Sequence, residues 1–276
     1  MKKFLTIMIL LLLAGVTGCK EQNPNLKRVN NEMDAFIATY LATYVNSEAQ
    51  DFYVMRAWAK LNEAGYKINL NVSEETIKNK YNNLEYNSLA SIFKGLIIMD
   101  IYKSTPQAAV NALNEIETVE AWDHTTAYMA LKLTNTNQSL QRSLLAQITT
   151  IREEDYRDAD FAGMALMATS KDNINRDIYY DLIENSLSPE GVQSWGAANS
   201  CSTAMAILGL LATGKDPSTY YEVDLVASLL TFFSNGAASY KLNEDLDLQF
   251  STPQAFAALA IYKIYAEKKT FVNLFN

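Results

Sequence analysis

The sequence predicts an all-α protein: about twelve helices paired into six hairpins and closed into an (α/α)6 toroid. Three observations point there. From Met33 onward no stretch alternates apolar and polar residues as a half-buried strand would, and no Asn-Gly hairpin turn is expected. Glycines (10) and prolines (5) are few in 276 residues and fall at punctuation points. Finally, helices apolar on all sides alternate with helices that keep a polar face, the pattern of an inner and an outer layer.

Residues 1–19, "MKKFLTIMILLLLAGVTGC", are set aside first. Lys2 and Lys3 form a positive n-region, and Phe4 to Ala14 is too short an apolar run for a comfortable membrane span. Val16-Thr17-Gly18-Cys19 resembles the bacterial lipobox, which implies cleavage before Cys19 and acylation of its thiol and amine. Several acyl chains give stable anchoring where one does not. The mature chain would have 258 residues (276 minus 18), and losing two lysines takes its formal charge from −8 to −10. That sign argues against nucleic acid and against electrostatic adhesion to anionic head groups. With Cys19 acylated, Cys201 is the remaining thiol and no intramolecular disulfide can form.

Residues 20–32, "KEQNPNLKRVNNE", are expected to be a flexible tether, at most roughly 45 Å long when extended. The globular domain is expected over 33–276. Caps and apolar period place helices near 33–46, 50–64, 73–84, 87–103, 106–117, 122–134, 138–151, 158–170, 176–187, 199–213, 222–235 and 251–268. Ser73 is an N-cap followed by two acids. Thr105-Pro106 and Thr252-Pro253 put a hydroxyl before a proline at the first helical position. Gly65 and Gly214 stand where left-handed C-caps belong. Inner-layer starts near 50, 87, 122, 158, 199 and 251 recur every 35 to 40 residues, lengthening toward the end. Closure is preferred to an open solenoid because neither terminal pair carries a strongly polar outer face.

"DADFAGMALMATS", "SWGAANSCSTAMAILGLLATGKDP" and "STPQAFAALAIYKIY" resemble bacterial relatives of the transcobalamin and intrinsic-factor helical domain. That group belongs to the terpenoid-cyclase and prenyltransferase toroids, and "DFYVMRAWAKLNEAGY" echoes another of its segments. The resemblance implies the toroid but not an activity, since the fold hosts enzymes and pure binders. Protein prenyltransferases hold zinc with an aspartate, a cysteine two residues on and a distant histidine. Here the matching stretch is Asn199-Ser200-Cys201, and the later inner helix begins Ser251-Thr252-Pro253, so neither aspartate nor histidine is in place. His124, the one histidine of the chain, lies on an earlier helix. Asp245 and Asp247 do not reproduce the adjacent aspartates with which squalene cyclases protonate their substrate. No metal or cofactor is expected.

Asp123, Asp158 and Asp160 lie at inner-helix starts and could cap or, in pairs, hydrolyse a glycan. If all inner helices start at one end, that rim gathers Tyr53, Trp122, His124 and Asp160. It also gathers Trp195, Asn199, Ser200 and Gln254, with Asn87 and Ser88 nearby. Helix N-termini beside aromatic rings suit a ligand with polar anchors. Three classes of function stay open. The first is a membrane-anchored extracytoplasmic binding protein for a small molecule, glycan or protein. The others are an enzyme acting on polysaccharide or another surface polymer, and a structural lipoprotein that docks a partner.

Overall fold

The computed structural model describes residues 23–46, 50–70, 72–150 and 158–276. Cys19 and the proposed signal peptide lie outside the described residues. The chain is largely α-helical, with thirteen α-helices and five two- to four-residue strands among the described residues. None of these helices is long and apolar enough to cross a membrane.

Six helices are buried on nearly every side: α3 (Phe52–Glu63), α5 (Leu89–Ile101), α7 (His124–Thr134), α9 (Ala159–Ala168), α11 (Ser200–Ala212) and α13 (Ser251–Lys268). Each packs on the next in this order, and α13 packs back on α3. Their starts share one end of the molecule: Phe52 meets Phe93, and Cys201 meets Ser251. Their ends share the other, where Asp100, Lys132 and Ala168 line one cavity. Striped helices cover them. α1 (Leu26–Thr39) lies on α13, α2 (Leu41–Asn46) on α3, and α4 (Glu74–Asn82) on α5. α6 (Gln107–Asn114) lies on α5 and α7, and α8 (Gln138–Thr149) on α7. α10 (Asp177–Glu184) lies on α9, and α12 (Leu225–Thr231) on α11.

Several expected caps form. Ser73 accepts from Thr76 N at 3.2 Å, and Gly65 and Gly214 adopt φ of +93° and +79°. Two Thr-Pro readings need correction. Pro106 itself sits at the N-cap of α6. Thr252 is fully buried, and its hydroxyl takes Ala238 N at 2.9 Å, so it pins a strand instead of capping a helix.

The helix expected over 33–46 begins earlier and breaks in two. Leu26, Val29, Met33 and Phe36 make an apolar stripe that sinks α1 against the core, so residues 26–32 are helix and not tether. The first described residues are also fixed: Asn23 donates to Tyr262 Oη at 2.5 Å and Asn25 to Asp224 Oδ2 at 2.8 Å.

Strands are the second correction. β1 (Leu187–Ser188), β2 (Gly191–Ser194) and β3 (Ala197–Ala198) form a three-stranded antiparallel ladder just before α11. β4 (Phe233–Ser234) and β5 (Ala237–Ala238) form a hairpin that shortens the helix expected over 222–235. Both hairpins turn on two residues with positive φ, Trp195-Gly196 (59° and 88°) and Asn235-Gly236 (52° and 85°), as a type I′ turn requires. The Asn-Gly signal was therefore present, in a repeat: Ser194-Trp195-Gly196-Ala197-Ala198 against Ser234-Asn235-Gly236-Ala237-Ala238.

Candidate functional site

Behind their starts, α9 and α11 touch backbone to backbone. A Cβ on Gly163 would stand 2.5 Å from Met205 O, and one on Gly209 2.8 Å from Gly163 O. Glycine on both helices lets their bodies pack this closely. Asp160 then faces Ser202, with Cys201 next to it on α11. Tyr53 reaches in from α3, its hydroxyl 3.7 Å from Met205 Sδ and 4.0 Å from Met164 Sδ. Cys201 Sγ lies 3.5 Å from Ser251 Oγ, which donates to Asp247 Oδ2 at 2.7 Å.

This cluster, the mouth of the proposed ring, is acidic and partly desolvated. Asp160 keeps some exposure as a residue, yet its Oδ1 is sealed from solvent and has no hydrogen-bond partner; nor does the buried Ser202 Oγ. Ser202 is near enough to favour the carboxylate, but not in a geometry that completes the bond. Burial pushes Asp160 up to about 6; Ser202 opposes this and the charge of Asp158 adds to it. Burial likewise pushes the Cys201 thiol up to about 11, with Asp160 and Asp247 adding to it, so it is no ready nucleophile. Tyr53 is raised by burial, then by Asp51, Asp160 and Cys201. The carboxylates that act on these three groups, Asp51, Asp158, Asp160 and Asp247, are all negative. The mouth resists a further anion and suits a cation or a neutral hydrogen-bond donor.

Of the residues expected at the rim, Tyr53 and Asp160 do converge. Asn199 and Ser200 are fully buried and spent within the fold. Asn199 accepts from Ser202 N at 2.8 Å and donates to Ser194 O, while Ser200 Oγ donates to Ser239 O at 2.7 Å. They cap α11 and stitch the two hairpins together. His124 is 8% exposed, with its Nε2 3.2 Å from Val119 O. Trp122 is 74% exposed beside it, and Gln254 is half-buried in the first turn of α13.

Trp195 is 68% exposed at the tip of its hairpin. A bulky residue at φ +59° is strained where the sister hairpin has asparagine, so its presence points to a role beyond the turn. Sequence reasoning missed Cys201 and Ser202 as members of the mouth, although both follow the capping Asn199 directly.

The carboxylates resolve differently. Asp158 caps α9, accepting from Phe161 N at 2.9 Å. Asp247 binds the first turn of α13 through Ser251 N at 3.0 Å. Asp123 makes no side-chain cap and borders a cavity of about 350 Å³ between α5, α6 and α7, floored by Leu89, Ile92 and Val119. Among the described residues no three His, Cys, Asp or Glu side chains group closely enough to hold a metal.

The centre of the inner helices is filled by the segment after α13. Leu274 and Phe275 are 1% and 4% exposed, and the Phe275 ring lies 5.7 Å from that of Tyr53 and 5.5 Å from that of Phe93. Arg56, paired with Asp100 at 2.7 Å, donates to Leu274 O, and Asn273 donates to Met167 O. Below Phe275 a cavity of about 400 Å³ opens at the helix ends, bordered by Ile97, Met129 and Lys132.

No protein-family model, curated protein or solved structure matches this chain.

Proposed function

We propose that this chain is a membrane-anchored extracytoplasmic binding protein. Its six helical hairpins close into an (α/α)6 toroid, held to the membrane through Cys19. The cyclic order in which the six buried helices pack supports closure. The ligand site is the mouth of the ring at Asp160, Tyr53 and Cys201, with Trp195 on its rim. The ligand is a cation or hydrogen-bond donor, such as an amine, on an apolar body.

One observation carries this reading: the sealed, unpartnered Asp160 Oδ1. A buried acceptor left unmet costs about 1–3 kcal/mol, so its retention at the start of α9 supports a donor that a ligand would bring. Hydrolysis of a glycan is disfavoured, because it needs two free carboxyls and Asp158 is occupied as a cap. Titration calorimetry with aliphatic and aromatic ammonium ions, from benzylammonium to octylammonium, tests the proposal. Binding should strengthen as pH rises through about 6, and Asp160→Asn should weaken it at least tenfold. Equal affinity for wild type and Asp160→Asn would refute it.

The filled centre favours a second reading, a lipoprotein that docks a protein partner through exposed rim residues such as Trp122, Trp195 and Phe250.

A further inference from the structure

We infer that the end of the molecule where the inner helices finish lies against the lipid surface, with a cluster of tyrosine, phenylalanine and lysine side chains at head-group level. This rests on the reading of Cys19 as the anchor. The Asp160 mouth then faces away from the membrane.

The first observation is the length of the leash. Asn23 is fixed to Tyr262, and only residues 20–22 separate it from Cys19. Four residue steps span roughly 14 Å at full stretch. Tyr262 is eleven residues beyond the start of α13, about 16 Å along its axis, and six residues from its end, about 9 Å. A fully stretched leash therefore reaches past the finishing end of the helix but falls short of its start.

The second observation is what surrounds the attachment point. Asp216 accepts from Tyr265 Oη at 2.9 Å and from Tyr220 N at 2.8 Å, and its charge also acts on Tyr262. Tyr220 (36%) and Phe271 (42%) are among the exposed large side chains of the protein, and Phe271 stacks on Tyr265 at 4.6 Å. Lys215 lies over the rings of Tyr180 and Tyr220 at 5.8 and 5.0 Å, and Lys269 over Tyr265 at 5.5 Å. Tyrosine rings with an apolar body and polar tip, beside lysines that can extend to phosphates, are what a membrane–water interface selects.

Electrostatics does not drive the contact. Asp177, Asp181 and Glu184 act on Tyr220, and the chain cleaved before Cys19 would carry a net charge of −10, against −8 for the full sequence. The fitting partner is a zwitterionic lipid surface, not an anionic one.

The test uses the full acylated chain, its acyl mass confirmed, in phosphatidylcholine vesicles carrying a head-group-level spin-labelled lipid. In a Cys201→Ser background, a fluorophore is placed on Tyr220→Cys, Phe271→Cys or, at the opposite end, Glu120→Cys. Probes at 220 and 271 should be quenched at least twofold and the probe at 120 hardly at all. Adding anionic lipid should change neither result. Equal quenching at both ends, or none at 220 and 271, overturns the orientation while leaving the anchor intact. A rise in quenching that requires anionic lipid overturns the aromatic basis. A wild-type chain without acyl mass overturns the anchor, and the orientation with it.

Discussion

Asp160→Asn separates binding from stability. A carboxyl held near 6, against an ordinary 3.8, binds more protons in the folded chain than in the unfolded one. Well below pH 3.8 both states are protonated and Asp160 costs nothing. As pH rises from 4 to 6 the unfolded chain ionises first, and the folded state loses relative stability. Each pH unit of separation is worth about 1.4 kcal/mol, so the penalty above pH 6 approaches about 3 kcal/mol. This is an upper bound, because Asp160 retains some contact with water. Asparagine removes the charge while keeping the shape. Asp160→Asn should therefore match wild type at pH 3 and exceed it at pH 8, by about 5–10 °C at the upper bound. Calorimetric melting of both proteins at the two pH values isolates the effect, since every other titrating group is shared. An Asn variant less stable than wild type at pH 8 would show that the ionised carboxylate is well satisfied, and the case for a missing donor would fall.

Three further outcomes follow from the same geometry. Trp195→Asn relieves a bulky residue at φ +59°, so it should raise stability by about 1 kcal/mol in urea while weakening ligand binding. Phe275→Ala empties space between the inner helices and should cost about 3 kcal/mol; excess benzene should raise the melting temperature of the variant but not of wild type. Gly236→Ala would put a Cβ 2.3 Å from Phe36 N and should cost more than about 3 kcal/mol by urea titration. Gly65→Ala, with a similar φ but open space, should cost only about 1 kcal/mol.

The inner helices were legible because their signals are local. Ser88, Asp158 and Asn199 cap as their residue types suggest, and the all-apolar runs behind them are buried. The hairpins were not legible by period, because strands of two to four residues have none; Asn235-Gly236 alone could have revealed them. The start of α1 was missed because Leu26 and Val29 are the only apolar residues of its first two turns, and their stripe is completed by Met33 and Phe36. For the mouth, Tyr53 and Asp160 were identifiable by position at inner-helix starts. The burial of Asn199 and Ser200 was not legible, because their hydrogen-bond partners belong to hairpins the pattern did not disclose. Phe275 gave a faint signal: "FVNLF" is an apolar run beyond the C-cap of α13, too short for an element and too apolar for a solvated end.

The packing of α13 on α3 also constrains how such a chain can be made. Tyr66 bonds Glu267 at 2.7 Å and Arg56 bonds Leu274 O at 3.1 Å, across 201 and 218 residues of sequence. These closing contacts are available only after nearly all of the chain has been synthesised. Until then the apolar flank of α3 has no covering partner, and that of α11 waits as well. A chain interrupted anywhere before Ser251 would keep both flanks open and would be prone to associate with other such fragments. Biogenesis therefore favours all-or-none quality control, in which a nearly complete molecule is as conspicuous to proteases as a half-made one.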